Sequence, residues 1–382
     1  MKFIHTSDWH IGRLFQNISL LEDQLYVLQQ IKKYAKQHQV DALIIAGDIF
    51  DRSVPPADAV EALDAFFDEI TSELELPIIL ISGNHDSAKR LGFGAGHMSQ
   101  SGLHILNQLS DVTKPVVIET ATGAAHFYGI PYHDPVEVRE VFSCDVSTYD
   151  EAHTYLVDQI KQVRVANVSS VVISHCFIDG AEESESERPL SIGGADRVSY
   201  QPLEEFDYVA LGHLHGPQYK GKKHIRYSGS LLKYSFSEHQ QKKGITLVEL
   251  NEKGLLSTEH LPLKPRKDLR VIEGLLADIL EQGKTDPNNE DYLFVRLLDK
   301  QDILDPLGQL RKIYPHTLQL ERTQFILSKG SQLKADVSLK RTEQQVFSDF
   351  FKQVIGHALT DDQNTLLLDI VAEAKVVIET KE

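Results

Sequence analysis

Five short apolar runs constrain the fold of this chain most strongly, because each of them ends in, or is followed at once by, a histidine, an aspartate or an asparagine. The runs have the length of strands and are rich in β-branched residues, which favours buried strands. Amphipathic helical patterns at residues 20–38 and 57–74 separate the first three runs. This alternation predicts an α/β domain around a largely parallel sheet. The five runs are KFIHTS, DALIIAGD, PIILISG, VVISH and DYVALG.

A second group of apolar runs has no long helical pattern between its members. Parallel neighbours need a long crossover connection, whereas antiparallel neighbours do not. We therefore expect these runs to form an antiparallel extension. Two packed sheets flanked by helices would accommodate both groups of strands. The runs are KPVVIET, HFYGIP, HIRYSGS and GITLVEL.

After Leu250 the pattern changes, and a basic segment with two prolines indicates the end of the first domain. An α-β-α-β order follows, which predicts a small second domain. Its strands are DYLFVRLL and HTLQLER, and its second helix lies around residues 304–313. We place the divisions at 1–263, 264–335 and 336–382. The first helix of the second domain is expected to present Ile272, Leu275, Leu276 and Ile279 on one face.

The tail carries a broad apolar stripe at helical spacing, followed by Gly356 as a helix end. The segment 360–363 then predicts a capping box for a second helix. Large exposed apolar surfaces usually mark a partner site, so the stripe favours a docking helix over one that packs on its own domain. The stripe consists of Val346, Phe347, Phe350, Phe351, Val354 and Ile355.

The composition excludes some functions. A formal net charge of −17 disfavours non-specific adhesion to nucleic acid or anionic membranes, although bound cations can invert the local field. Two cysteines form no disulfide framework, which is typical of a reducing compartment. The N-terminus has no apolar signal region, and no run reaches the ~18 apolar residues of a membrane span. We expect a soluble, cytoplasmic protein.

Metal-ligating residue types follow all five strand runs. In open α/β sheets, ligands bind beyond the carboxyl ends of the strands, so these side chains are expected to meet at one edge. Asp8 and His10 are two residues apart, as are His213 and His215, and such residues of an extended segment point to the same side. The candidate ligands are Asp8, His10, Asp48, Asn84, His175, His213 and His215.

This set offers two carboxylates, one amide and four imidazoles, which suits two ions better than one. Mixed nitrogen and oxygen ligation without thiolate indicates Mn²⁺, Fe²⁺, Mg²⁺ or Zn²⁺. Gly47, Gly83 and Gly212 lie beside the ligands, where a missing side chain lets the backbone bend and approach an ion. Each short motif alone is more often turn chemistry than a ligand, and only their combination predicts a metal site.

Two neighbouring features are interpreted without a function. The polar segment AEESESERPLS, residues 181–191, is expected to be a solvated loop. Cys176 follows a candidate ligand but has no cysteine spaced for metal binding, so it is expected to be a small core residue.

The order Asp-x-His, Gly-Asp, Gly-Asn-His-Asp, His and Gly-His-x-His resembles the signature of the calcineurin-like metallophosphoesterases. Within that superfamily, the chain looks like the SbcD family, the nuclease subunits of bacterial SbcC–SbcD complexes, which are related to double-strand-break repair nucleases. The resemblance is close in the first domain and looser beyond it. The segments that carry it are TSDWHIGRLF, AGDIFDRSVPP, SGNHDS, SESERPLSIGG and LGHLHGPQ.

The resemblance implies a two-sheet metallophosphoesterase sandwich flanked by helices, a small α+β capping domain that binds DNA, and a C-terminal helical pair. The helical pair would dock on an SbcC-type ATPase, giving a heterotetramer around a homodimer. The family further implies two divalent metal ions, with Mn²⁺ favoured and Mg²⁺ or Fe²⁺ as alternatives.

The resemblance also implies a role for each candidate residue. One ion would be held by Asp8, His10 and His215, and the other by Asn84, His175 and His213, with Asp48 bridging both. His85 resembles the catalytic histidine of the family, which orients the scissile phosphate and protonates the leaving oxygen. Asp51 would support the ligands from behind.

The implied activity is hydrolysis of DNA phosphodiesters, with exonuclease action on duplex ends and endonuclease action on single strands or hairpins. Such a nuclease would act with its ATPase in DNA repair, replication and recombination. A small-molecule phosphoesterase, such as a nucleotidase or a cyclic nucleotide phosphodiesterase, is the alternative within the superfamily. An interaction scaffold with a vestigial site is the alternative outside enzymes.

Overall fold

The computed structural model describes residues 1–120, 123–187, 196–251, 254–322, 347–348, 351 and 358–367. The contacts divide the chain into two compact units, Met1–Leu269 and Arg270–Glu382. The three-part division of the sequence stays a prediction.

The described residues contain nineteen strands. In chain order they are β1 (Lys2–Thr6), β2 (Leu14–Phe15), β3 (Ile18–Ser19), β4 (Ala42–Ala46), β5 (Ile78–Ile81), β6 (Leu103–Leu106), β7 (Val116–Thr120), β8 (Gly123–Ile130), β9 (Ser169–His175), β10 (Phe177–Ile178), β11 (Arg197–Val198), β12 (Tyr208–Gly212), β13 (Gln218–Lys220), β14 (Lys222–Tyr227), β15 (Gly244–Asn251), β16 (Gly254–Pro262), β17 (Leu269–Gly274), β18 (Tyr292–Leu297) and β19 (Thr317–Arg322).

Helices occupy the connections. They are α1 (Leu21–His38), α2 (Ala57–Asp68), α3 (Ala88–Leu91), α4 (Ala95–Met98), α5 (Pro135–Phe142), α6 (Tyr149–Val163), α7 (Leu276–Gly283) and α8 (Pro306–Arg311), with a π-helical turn at Glu69–Glu73 that extends α2. Single 3₁₀ turns lie at Ser99–Ser101, Leu109–Asp111, Gln201–Leu203 and Phe236–Glu238. Among the described helices, none is both long and apolar enough to span a bilayer.

The first unit is a sandwich of two six-stranded sheets. One sheet has the order β16-β15-β1-β4-β5-β6 and the other β13-β14-β12-β9-β8-β7. Side chains alternate between the faces of a strand, and β9 illustrates this: Val171 and Ile173 lie in the core between the sheets, whereas Val172 belongs to the apolar cluster that includes Leu156 and Ile160 of α6. The predicted two-sheet sandwich with flanking helices is confirmed.

The predicted antiparallel extension is only partly right. Strands β7, β13, β15 and β16 pair antiparallel with their neighbours, but β8 pairs in parallel with β9, and β14 in parallel with β12. Helices α5 and α6 provide the crossover between β8 and β9. Both begin with a capping box, at Asp134 with Glu137 and at Thr148 with Glu151, so the sequence did contain the signal for them.

The second unit contains a three-stranded sheet in the order β17-β18-β19, with α7 and α8 between the strands. The predicted helix face was wrong at its start, because Ile272 lies in β17 and Leu275 has an extended backbone in front of α7. The order is therefore β-α-β-α-β. The first basic residue of this unit, Arg270, forms ion pairs with Asp286 and Asp291.

Part of the tail is described. Thr360 and Gln363 form the predicted capping box: the Thr360 N–H donates to Gln363 Oε1 at 3.0 Å, and the Gln363 N–H to the Thr360 hydroxyl at 3.4 Å. Residues 361–367 are helical. The rings of Phe347 and Phe351 stack at 6.5 Å. The other predicted stripe residues, Val346, Phe350, Val354 and Ile355, lie outside the described residues.

Candidate metal centre

Five strands of the sandwich deliver polar side chains to one place. Strands β1, β4 and β5 come from one sheet and β9 and β12 from the other, and each ends at or just before a candidate ligand, as expected. Three groups of side chains bring their potential ligand atoms within 4.8 Å of one another. These groups are Asp8 with His10 and His215, Asp8 with Asp48 and His175, and His10 with Asp51 and His85.

Asp48 lies between the two halves of this cluster. Its Oδ2 atom is 3.7 Å from His10 Nε2 and 3.4 Å from His175 Nε2. On the His10 side, His10 Nε2 and His215 Nε2 are 3.1 Å apart. On the other side, the Oδ1 atom of Asn84 lies 2.9 Å from His175 Nε2 and 3.2 Å from His213 Nδ1. All seven predicted ligands therefore meet.

The extended geometry predicted for the paired residues Asp8 and His10 was wrong. Asp8 and His10 do not belong to an extended segment, since β1 ends at Thr6 and their φ angles are 52° and 47°. Asp48 and His213 also have positive φ, at 52° and 105°. Non-glycine residues in this region are strained, and such strain concentrates at functional sites. Asp8, His10, Asp48 and His213 therefore reach the cluster through positive-φ turns that follow the strands.

Glycines allow these turns to pack against each other. Gly47 has φ +88°, and a Cβ atom there would lie 2.3 Å from His175 Nδ1. A Cβ atom on Gly83 would lie 2.2 Å from Asp48 Oδ1. The missing side chains therefore make room for the ligands themselves, whereas the sequence interpretation had them make room for an ion.

The donor set fits divalent cations. Burial lowers the pKa of His213 to about 3 and that of His10 well below its ordinary value, which keeps both imidazoles neutral, as ligation requires. Burial raises the pKa of Asp8 to about 6. Burial would also lower the pKa of His175, but the Asp48 and Asp8 carboxylates raise it to about 9, so this imidazole carries a proton that a bound cation would displace. His10 Nδ1 and Asn84 Nδ2 are buried without a hydrogen-bond partner among the described residues.

His85 and Asp51 lie beside the cluster. The Nδ1–H of His85 donates to the carbonyl oxygen of Asp51 at 2.7 Å, and its backbone N–H donates to Asp48 Oδ1 at 2.9 Å. Because a carbonyl only accepts, Nε2 is the ring nitrogen of His85 left for a ligand. The Asp51 carboxylate lies 3.7 Å from His10 Nδ1 and 3.2 Å from Arg13.

The sequence interpretation assigned no function to Asp86. In the structure this residue connects the loop after β4 with the loop after β5. Its carboxylate accepts hydrogen bonds from the backbone N–H groups of Ile49, Phe50 and Gly83. Burial, together with the nearby Asp48 carboxylate, raises its pKa to about 7. The Gly-Asn-His-Asp motif contained this residue, but only the folded chain shows what its carboxylate contacts.

The segment expected to be a solvated loop instead contacts His215. His215 Nδ1 lies 2.5 Å from the Ser186 hydroxyl, and the His215 backbone N–H donates to Glu187 at 2.8 Å. The Ser186 hydroxyl in turn donates to Glu238. Nδ1–H of His215 therefore donates to Ser186, which leaves Nε2 to face His10. Residues 188–191, the rest of this segment, lie outside the described residues.

Glu238 and Lys243 form a buried ion pair behind His215, and the sequence interpretation missed both. Their Oε2 and Nζ atoms are 2.5 Å apart. Lys243 also donates to the His215 carbonyl and to Ser230, each at 2.8 Å. Burial opposes ionisation of Glu238, but Lys243 and His215 hold its pKa well below the usual range. No local motif marks either residue as part of the site.

Two family models together match most of this chain. A family model described as "Calcineurin-like phosphoesterase" matches residues 1–217. A second model, described as "Type 5 capsule protein repressor C-terminal domain", matches residues 265–354.

Two similar curated proteins are both named as the SbcD subunit of the nuclease SbcCD. The one from Staphylococcus epidermidis is 35% identical over 366 residues, covering 95% of this chain and 96% of its own. The one from Staphylococcus saprophyticus is 36% identical with the same coverage. Among solved structures, a dimetal phosphatase from Danio rerio matches 69% of this chain and 99% of its own, at 12% identity and a TM-score of 0.39.

Proposed function

Because the chain belongs to the calcineurin-like phosphoesterases and, among them, to the SbcD family of nuclease subunits, we propose that it is a two-metal DNA nuclease. The observation that carries this proposal is the convergence of carboxylate, amide and imidazole ligands from five strand ends. Its substrates would be double-stranded DNA ends, as an exonuclease, and single strands or hairpins, as an endonuclease.

In this proposal one ion is held by Asp8, His10 and His215, and the other by Asn84, His175 and His213. The position of the Asp48 carboxylate, near both His10 and His175, supports it as the bridge. Two cations bound in this way neutralise a phosphodiester and supply a nucleophile at neutral pH. The nitrogen and oxygen ligands favour Mn²⁺, with Mg²⁺ and Fe²⁺ as alternatives.

His85 is proposed to orient the scissile phosphate and to protonate the leaving oxygen through Nε2. Its hydrogen bond to the Asp51 carbonyl supports this role, because it fixes the ring and directs Nε2 away from the backbone. The Asp51 carboxylate would orient the His10 ring through Nδ1. The ion pair with Arg13 would hold that carboxylate in place.

The function is tested by incubating the protein with linear duplex, plasmid, hairpin DNA and a nitrophenyl phosphodiester. Each substrate is combined with Mn²⁺, Mg²⁺ or a chelator. We expect DNA cleavage with Mn²⁺ and none with the chelator. Hydrolysis of nucleotides or cyclic nucleotides without cleavage of any DNA would favour the small-molecule phosphoesterase instead.

The proposed partners are DNA, an SbcC-type ATPase and a second copy of the chain, in a cytoplasmic heterotetramer. A groove of about 420 Å³ beside α2 supports self-association, because it is largely apolar and its rim is exposed. Phe93 on this rim is 83% exposed, and Val54, Val60 and Met98 are exposed too. Such a surface is typical of a protein interface. Both cysteines are free thiols, in keeping with a reducing compartment.

Deleting residues 340–382 is expected to abolish binding to the ATPase and to leave a nuclease active on the nitrophenyl phosphodiester with Mn²⁺. The physical reason is separation along the chain, since every proposed ligand lies at or before His215 in the first unit. Pull-down measures binding to the ATPase, and the nitrophenyl phosphodiester assay measures the remaining catalytic activity. Retained ATPase binding would instead favour a helical pair that closes its own domain.

Glu238→Gln is expected to weaken the ion site of Asp8, His10 and His215 by roughly 10- to 100-fold in affinity, the usual cost of losing a partner behind a metal ligand. The change keeps the side-chain shape but removes the charge that anchors Ser186 and Lys243. Calorimetric titration with Mn²⁺ measures the effect. Glu185→Gln, at the exposed glutamate next to Ser186, is the control. Equal affinities in both variants would contradict the proposed support of His215 by Glu238.

A further inference from the structure

A glutamine occupies a core position of helix α1. Gln24 is buried on the same face of the helix as Val27, Leu28 and Ile31, at the three- and four-residue spacing where apolar side chains are usual. Burying an amide costs free energy unless its polar atoms are hydrogen-bonded. The partners of Gln24 therefore indicate why an amide stands at this position.

The Gln24 side chain is hydrogen-bonded to the turn that carries the proposed ligand His10. Its Nε2 atom donates to the carbonyl oxygen of His10 at 2.7 Å and to that of Trp9 at 3.1 Å. Its Oε1 atom accepts the backbone N–H of Gly12 at 3.0 Å. One side chain of α1 thus holds the backbone on both sides of His10.

The backbone of this turn requires such support. His10 has a φ angle of 47°, and Gly12 follows with φ +85°. The turn is also closely packed, since a Cβ atom on Gly12 would lie 2.9 Å from Ala59 Cβ. A non-glycine residue keeps a left-handed conformation only where its surroundings hold it there. Without the Gln24 amide, fewer contacts hold His10 in this conformation.

Tyr234 contacts the same turn and also two imidazole rings. Its hydroxyl donates to the Trp9 carbonyl oxygen and lies 3.1 Å from Gln24 Nε2. The centroid of its ring lies 5.4 Å from that of His10 and 5.6 Å from that of His215, both in edge-to-face geometry. Edge-to-face contacts favour a defined orientation of the two rings. Tyr234 therefore restrains both imidazoles of one proposed ion site.

We propose that Gln24 and Tyr234 are positioning residues for one of the two ions, the ion of Asp8, His10 and His215. The inference rests on the proposed two-metal function and adds two residues that none of the ligand motifs contains. Both act through the ligands: Gln24 fixes the backbone of His10, and Tyr234 fixes the two rings.

The other proposed ion site offers a comparison within the same molecule. Among the described residues, neither Gln24 nor Tyr234 forms a hydrogen bond or a ring contact with the ligands of that site, Asn84, His175 and His213. Loss of either positioning residue is therefore expected to weaken one ion and to spare the other.

The test is a calorimetric titration with Mn²⁺ in two backgrounds that each keep one ion site. In His175→Ala, which keeps the His10 site, adding Gln24→Met is expected to weaken the remaining ion roughly tenfold, as for other partners behind a metal ligand. In His10→Ala, which keeps the other site, the same change is expected to leave the affinity as it was. The visible absorption of Co²⁺ bound to the His175→Ala protein reports ligand geometry and is expected to change with Gln24→Met.

Gln29→Met is the matched control, because it is the same substitution at an exposed position of α1. Tyr234→Phe is a milder variant that keeps the ring and removes the hydroxyl, and in the His175→Ala background it is expected to weaken the ion about fivefold, as for one hydrogen bond. This variant decides the question if Gln24→Met does not fold.

Equal losses in the two backgrounds would overturn the proposal, because they would show a general effect on the fold. Losses no larger than that of Gln29→Met would overturn it as well. Failure of the nuclease proposal would look different, since the titration measures metal affinity: the wild-type protein would bind two Mn²⁺ ions and cleave no DNA.

Discussion

His85→Ala is expected to keep both metal ions and to lose between about 10²- and 10⁴-fold of the rate of DNA hydrolysis, the usual contribution of a general acid. The side chain is held by the Asp51 carbonyl, and only its backbone N–H contacts Asp48. Removing the imidazole therefore leaves the contacts between the proposed ligands unchanged. Initial rates with Mn²⁺ and elemental analysis of the purified variant measure activity and metal content.

The competing role for His85 is that of a ligand, because one of its ring nitrogens lies within 4.8 Å of potential ligand atoms of His10 and Asp51. A His85→Ala variant that has lost one ion would support the ligand role and contradict the general-acid role. The pH profile separates the two further, because loss of a general acid removes one limb of the profile, whereas loss of an ion lowers the whole curve. His97→Ala, at an exposed histidine, is the control.

Asp48→Asn is expected to weaken both ion sites at once, by more than about 100-fold each, since losing a direct ligand costs more than losing its outer partner. The carboxylate lies near both His10 and His175, so it is the candidate whose charge both ions share. Asparagine keeps an oxygen to accept the His85 N–H, which preserves the loop. Calorimetric titration with Mn²⁺ gives the two affinities.

Single-site variants provide the comparison for Asp48. His10→Ala and His175→Ala are each expected to empty one site, because His10 lies beside His215 whereas His175 lies beside Asn84. Equal, single-site losses in all three variants would contradict a bridging role. Asp58→Asn, at an exposed aspartate of α2, controls for the loss of one negative charge.

The sequence by itself predicted which side chains meet at the strand ends. Short β-branched runs predicted β1, β4, β5, β9 and β12, and each run was followed by metal-ligating residue types. This worked because strand periodicity and turn chemistry are local properties. The capping box of Thr360 and Gln363 was predictable for the same reason, since both partners lie within one turn.

Only the tertiary structure decided how those side chains meet and what holds them. The left-handed backbone of Asp8 and His10 is held by hydrogen bonds to the carbonyls of Gly47 and Asp48, and β8 pairs with β9 only after a long crossover. Ser186 and Glu238 contact His215 from 29 and 23 residues away in the sequence. Such contacts produce no periodic pattern in the sequence, because the two partners are close only in the folded chain. The side chains that meet at the strand ends could therefore be predicted from the sequence, whereas the residues that contact them from elsewhere are seen only in the folded structure.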